Sequence, residues 1–280
     1  MTSSEQIRDQ QRETWNKFSV GWKKHDNLVF EWLRPVGDKL IENVELRAGY
    51  VVLDAATGTG EPGISAARKL GSGKVIGADV AANMLSIAEG KAKSMGILNY
   101  ESRICNESSL PFPDGYFDAI MCRFGVMYFP QPETAVKELA RVLKRSHKLA
   151  LAAWAGPSKN TWATTATSVV NQALSLPPPA VDSPGLFRFS EPGTLTKLLT
   201  KAGLEHVAES EVKGELSFNS AESYWEFITD VVAPIAVALS KATPEQRDKI
   251  KNGVIESAKK NSDGNKLFFS WSAWVVNGTK

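Results

Sequence analysis

Cysteine is nearly absent from this chain: two residues, Cys105 and Cys122, in a length of 280. Two thiols make no disulfide framework, and their spacing is not that of metal ligands, so no metal site is expected. Histidine is equally scarce, with three residues at positions 25, 147 and 206. An excess of charge of one sign is lacking too. The 33 Lys and Arg nearly balance the 31 Asp and Glu, for a net charge of +2. A nucleic-acid-binding domain would usually carry a basic stripe, and no nucleic-acid partner is expected. Lys23-Lys24 and Lys259-Lys260 read as solvated helix ends or loops. No apolar run approaches the ~20 residues that span a bilayer. The opening MTSSEQIRDQQRETW has no apolar stretch of the kind a secretory leader needs, so a cytoplasmic location is the expectation.

What is present is the composition of an ordinary globular protein, 42% hydrophobic and 23% charged. The length suits one α/β domain with an elaborated cap, or two modest domains. Residues 1–48 read as helices, with Trp15, Phe18, Trp22, Trp32, Leu33 and Leu40 set among charges and Pro35 expected to break the run. From Tyr50 the texture changes. Short apolar runs at Tyr50–Asp54, Lys74–Asp79, Tyr100–Cys105, Phe117–Cys122 and Leu149–Trp154 read as strands, separated by helices at 62–70, 81–95 and 131–144. Val136, Leu139, Ala140 and Leu143 fall on one face of the last of these. Strands alternating with helices imply a parallel sheet with right-handed crossovers.

Beyond residue 155 the regularity lapses. The pattern suggests a helix and a loop over 156–186, with Pro177-Pro178-Pro179 in the loop, then a helix over 190–203 with Ser190 as N-cap. A strand is expected at 204–213 and two helices over 221–260, broken by Pro244. The chain then closes on a strand where Leu267, Phe269, Trp271, Ala273 and Val275 share a face. The organisation expected is an N-terminal helical cap (1–48), a cofactor-binding core (49–155) and the remainder of the sheet (156–280) with helices inserted at about 221–260.

The segment VVLDAATGTGEPGISAARKL, residues 51–70, carries most of the chemistry. A strand runs into Asp54 and then Thr57-Gly58-Thr59-Gly60, where glycines let the chain turn sharply and a ligand approach the backbone. Asp79 ends the next strand, placed to accept hydrogen bonds from both hydroxyls of an adenosine ribose. Two cofactors fit this outline. Gly58, Gly60 and Gly63 spell G-x-G-x-x-G with an acid about 20 residues on, the dinucleotide fingerprint. Yet Asp54 precedes Gly58 by four residues, where a carboxylate opposes a pyrophosphate and favours the ammonium of a methionine moiety.

At VLDAATGTG, VIGADVAANML and NESSLPFPDGYFDAIMCRFGVMYFPQPETAVKELARVLK the chain resembles class I S-adenosylmethionine-dependent methyltransferases near the ubiquinone/menaquinone C-methyltransferases. The resemblance covers about residues 50–155. It implies a Rossmann-like sheet of order 3-2-1-4-5-7-6 with strand 7 antiparallel, Leu267–Val276 being that strand. It implies that the cofactor is S-adenosylmethionine, held by Asp54, Thr57, Gly58, Thr59, Gly60, Asp79, Val80, Met84, Asn106, Glu107 and Arg123. Of these, Thr59 belongs beside the methionine part, Asp79 on the ribose, and Asn106 and Glu107 at the adenine. Two departures stand out. Ala56-Thr57 replaces the relatives' Gly-Cys or Gly-Gly, and Lys144-Arg145-Ser146-His147 replaces their Lys-Pro-Gly-Gly turn, which suggests a looser turn.

Methyl transfer from a sulfonium needs alignment and desolvation more than acid–base help. His25 is the one candidate for a general base, against the plainer reading of a solvated loop residue; His147 and His206 read as structural. Tyr128, Phe129 and Trp154 are placed to wall a pocket, and Trp15, Trp22, Tyr224, Trp225 and Phe227 to line a cap over a small apolar or aromatic acceptor. A nicotinamide-dependent oxidoreductase and a non-catalytic S-adenosylmethionine-binding protein remain as alternatives.

Overall fold

The computed structural model describes residues 3–178, 180 and 182–280; Pro179 of the proline run lies outside the described residues. Two helices open the chain. α1 (Ser4–Lys24) starts on a capping box, in which Ser3 accepts from the Gln6 amide and the Gln6 side chain accepts from the Ser3 amide. α2 (Asp26–Asn43) buries Val29, Trp32, Leu33, Val36, Leu40 and Ile41. Contrary to expectation, Pro35 lies inside α2. The hydrogen bond it forgoes would have gone to Glu31, and both residues are on the solvent side, while the buried stripe holds the helix across the gap.

The strands follow as β1 (Val51–Ala55), β2 (Lys74–Asp79), β3 (Tyr100–Ile104), β4 (Phe117–Arg123), β5 (Leu143–Trp154), β6 (Glu205–Phe218) and β7 (Leu267–Thr279). They form one sheet of order β3-β2-β1-β4-β5-β7-β6. All neighbours pair parallel except β7, which runs antiparallel to both β5 and β6. The sheet is Rossmann-like, as the resemblance implies. β4 is buried along nearly its whole length, whereas the edge strands β3 and β6 expose most of theirs. That contrast follows from position, since only the inner strands have helices and strands on every side. β7 buries the face read from the sequence.

The crossovers are α3 (Gly63–Leu70), α4 (Ala82–Ser94) and α5 (Pro132–Val142), and the later helices are α6 (Thr161–Ala173), α7 (Thr194–Lys201), α8 (Ala221–Val231), α9 (Ala233–Ser240) and α10 (Pro244–Lys259). Three details differ here from the sequence reading. β5 begins at Leu143, directly out of α5, so Lys144–His147 is strand and not a loose turn. The end of β7 supplies its partners there: the Ser146 amide donates to the Lys280 carbonyl (2.7 Å) and the Lys280 amide to the His147 carbonyl (3.0 Å). Ser190 is not the N-cap of α7, which starts from Gly193 instead. The Ser190 carbonyl accepts from Trp274 Nε1 (2.8 Å), and Glu209 takes the Gly193 amide (2.8 Å). Finally, 221–260 holds three helices, because Pro234 in the first turn of α9 cannot continue α8. No helix among the described residues is long and apolar enough to cross a membrane.

Close packing at the sheet's centre positions the loops above it. A Cβ on Gly77, in β2, would lie 2.1 Å from the Tyr100 hydroxyl and 2.7 Å from its ring. Gly77→Ala should therefore destabilise the protein by about 1–3 kcal/mol in urea unfolding. Tyr100→Phe added to it should restore part of the loss, since the nearest obstructing atom is then gone. A neutral Gly77→Ala would contradict this packing.

Candidate functional site

The glycine loop leaves β1 at Ala55 and returns into α3. Asp54 is completely buried behind it. Its Oδ2 accepts from the Thr57 hydroxyl (2.6 Å) and from the Gly63 amide (2.9 Å), and the Thr57 and Tyr100 hydroxyls are 3.1 Å apart. Its Oδ1 has no hydrogen-bond partner among the described residues. Burial pushes the Asp54 carboxyl up to about 7, against the opposing pull of Thr57, Arg123 and Gly63. Ala56 stands in the left-handed region (φ 55°), where the relatives' glycine would be relaxed. Its methyl group is accommodated by Gly125, where a Cβ would lie 2.3 Å from Ala56 Cβ.

The main cleft opens at the carboxyl ends of the central strands, the usual ligand position on such sheets. At its polar end Thr57, Gly58, Thr59, Asp79, Val80 and Met84 line the wall. Asp79 is steadied by backbone amides: Gly58 donates to Oδ2 (2.9 Å) and Ala81 to Oδ1 (3.0 Å). Each oxygen keeps a lone pair, enough for two neighbouring hydroxyls. Burial raises the Asp79 pKa, and the Ala81 and Gly58 amides oppose the rise. Glu107 also lines the cleft and accepts from Arg8 Nε (3.2 Å). Arg8, Gln11, Trp15 and Trp22 bring α1 across as a wall. Asn16 ties α1 to the start of α4 by accepting from the Asn83 amide (2.9 Å).

The other end is aromatic. The Phe124 and Trp154 rings stack at 4.1 Å, Trp154 and Trp32 stack at 5.4 Å, and Trp162 stands 4.6 Å from Trp32 at a steep angle. Nearer α1, Trp15 meets Tyr128 edge-on at 5.1 Å. Phe129 and Arg123 line the cleft as well. On the polar wall the acids Glu61, Asp79 and Glu107 outnumber the cations Arg8 and Arg123. Glu61, Asp79 and Glu107 would oppose a pyrophosphate.

Not every expected residue reaches the cleft. Asp54 and Gly60 stay behind the loop, and Asn106 Oδ1 is occupied by the Ser108 amide (2.9 Å). His25, the weak base candidate, is outside the lining, and it is not a solvated loop residue either. It links α1 and α2 at their junction to α8, with Nε2 3.0 Å from Asp230 Oδ2. Tyr224 and Phe227 are core, Tyr224 stacking on Phe269 at 4.3 Å and donating to the Trp162 carbonyl (2.8 Å). Trp225 packs against the core from its edge. Trp32, Trp162 and Glu61 line the cleft without having been singled out. Trp32 belongs to an apolar helical stripe that looks like plain core in sequence, and Glu61 is one acid among many. Cys105, just past β3, and Cys122, on β4, are free and buried, with β2 and β1 between those two strands.

The buried Asp54 has a signature in pH. Its folded pKa lies above the unfolded value, so the unfolded chain loses its proton first as pH rises, and folding stability falls. The wild-type protein should lose up to about 1.4 kcal/mol per pH unit from this group between about pH 4 and 7, levelling above. Asp54→Asn should remove that component of the slope, as read from urea unfolding at several pH values. Identical slopes in the two proteins would place the titrating group elsewhere.

Residues 52–146 match the family described as Methyltransferase domain. The demethylmenaquinone methyltransferase of Thermus thermophilus is 36% identical over 131 residues, 47% of this chain and 57% of the relative. The nocamycin O-methyltransferase of Saccharothrix syringae is 27% identical over 226 residues, 73% of this chain and 81% of the relative. The chain spans about half the length of the curated quinone-related relatives it matches. Among solved structures, the YcgJ protein of Bacillus subtilis shares the fold, with a TM-score of 0.56 at 24% identity, covering 87% of this chain and 97% of that one. Residues 52–146 thus match a methyltransferase domain, and about half of the chain is similar to the ubiquinone/menaquinone C-methyltransferases, on a sheet of the same Rossmann-like order as the solved relatives.

Proposed function

We propose that this chain transfers the methyl group of S-adenosylmethionine to a small, mostly apolar or aromatic acceptor. The observation that carries the reading is one cleft with two ends, an acid-walled glycine loop and a chamber of Trp32, Phe124, Trp154 and Trp162. Asp79 takes the ribose hydroxyls, with Thr57, Gly58, Thr59, Val80 and Met84 around the nucleoside and Glu107 beside the adenine. Bound there, S-adenosylmethionine would supply an electrophilic methyl group, to which the acceptor would bond in line as the carbon–sulfur bond breaks and neutral S-adenosylhomocysteine leaves.

The chain's part is alignment and exclusion of water. Aromatic faces near a sulfonium favour its positive charge, and apolar walls gain about 25 cal/mol per Å² of apolar surface covered. The same walls penalise an unpaired charge on the acceptor. α1 and α2 act as the cap, since α1 supplies one wall and α2 supplies Trp32. Relatives that methylate a quinone precursor by name and one named as an O-methyltransferase bracket the chemistry without choosing between carbon and oxygen.

Titration calorimetry should find S-adenosylhomocysteine bound at micromolar strength or tighter and no measurable NAD(H) binding. Asp79→Ala should weaken the former at least about tenfold through the lost charge-assisted hydrogen bonds. Unchanged affinity would remove the ribose role of Asp79. For the acceptor, a methyl-transfer screen over quinols, phenols, amines and carboxylates should find activity on the apolar aromatic members. Activity confined to highly charged acceptors would contradict the proposed substrate class.

A further inference from the structure

Glu61, which the resemblance does not single out, and Arg123, which it implies at the cofactor without saying which group it meets, both line the cleft. Glu61 directly follows the glycine loop and is nearly fully buried. The Ser65 amide, in the first turn of α3, donates to its Oε2 (3.2 Å), while Lys91 Nζ stands 3.7 Å from Oε1. Arg123 ends β4, next to β1 in the sheet. It has no hydrogen bond or ion pair among the described residues; burial disfavours its charge, and Glu61, then Asp54 and Asp26, support it at longer range. The two side chains meet again in a small recess beneath α2, beside Gly37 and Pro62. A Cβ on Gly37 would come within 3.3 Å of Pro62 and 3.9 Å of Arg123 Nη1, so α2 closes directly over this end.

Glu61 and Arg123, opposite charges that line one cleft without pairing with each other, suit the two ends of a zwitterion. Of the other acids on the polar wall, Asp79 is taken by the ribose in the reading above, and Glu107 is held by Arg8 at 3.2 Å, closer than the 3.7 Å between Glu61 and Lys91. Asp54, the acid that the sequence motif nominates for the ammonium, faces the loop's own Thr57 and Gly63 and lines no part of the cleft. We propose that Glu61 receives the ammonium and Arg123 the carboxylate of the cofactor's amino-acid half, leaving Asp54 as the internal support of the loop. The free guanidinium is then complete only when the tail is bound. This assignment rests on the cleft taking S-adenosylmethionine, and it makes the amino-acid tail, as much as the nucleoside, a determinant of recognition.

Calorimetry with three ligands separates the two claims: S-adenosylhomocysteine, its decarboxylated analogue, and 5′-methylthioadenosine, which lacks the amino-acid tail. Arg123→Met should weaken S-adenosylhomocysteine about tenfold or more and leave the other two within about twofold. Glu61→Gln should weaken both amine-bearing ligands by about tenfold and spare 5′-methylthioadenosine. Arg123→Lys should recover part of the affinity for S-adenosylhomocysteine alone, which controls for damage to the fold. Equal weakening of all three ligands by either variant would mean a structural role and overturn the assignment. So would unchanged binding of S-adenosylhomocysteine in Arg123→Met, which would leave that cation to the acceptor. If the wild-type protein binds none of the three, the cofactor reading itself fails and the assignment falls with it.

Discussion

The site depends on one buried carboxylate. Asp54 accepts from the Thr57 hydroxyl and from the first amide of α3, and through Thr57 it is coupled to the Tyr100 hydroxyl on β3. Burying an acid is costly unless it is hydrogen-bonded, and here the compensation is spread over β1, the loop, α3 and β3. The loop's backbone is consequently held in one course. Gly58 reaches the Asp79 carboxylate, and the turn delivers Glu61 to the cleft wall. A loop without this support would have no fixed geometry from which to present either acid.

The second dependence is between distant segments. α1 crosses the cleft and is fastened on both sides, by Asn16 and Arg8 to the core and by Lys24 and His25 to Asp230 of α8. Trp22 adds a bond from its indole to the Val231 carbonyl (3.3 Å). The N-terminal helices and the helices inserted after β6 thus form one roof from opposite ends of the chain. The aromatic chamber is assembled in the same way, from α2, the end of β4, the end of β5 and α6. Exposed ion pairs contribute little to such an arrangement, so the indole and ring packing carries most of it.

Ala56 illustrates how a departure from a family pattern is absorbed. A side chain at positive φ is strained, and the adjacent Gly125 leaves the space its methyl group needs. The KRSH stretch is absorbed differently: with Lys280 and Thr279 alongside, it joins the sheet as the first part of β5.

Local periodicity and turn chemistry by themselves determined the strand–helix alternation of residues 50–155, the helices of 1–48, the face of β7, and the places of the glycine loop after β1 and of Asp79 at the end of β2. These are properties of a few neighbouring residues, and the physics that sets them acts over the same range. The strand order came from resemblance to relatives, and the structure bears it out. Only the tertiary structure decided which polar groups face the cleft. Asp54 and Glu61 are both acids beside the same loop, and nothing local distinguishes the one turned inward to amides from the one turned outward to the cavity. Trp32 and Tyr224 are likewise both apolar-stripe aromatics, yet one walls the cleft and the other stacks on Phe269. Pro35 was misleading for a related reason: a proline's local penalty is fixed, but whether a helix survives it depends on how much of its opposite face other elements bury.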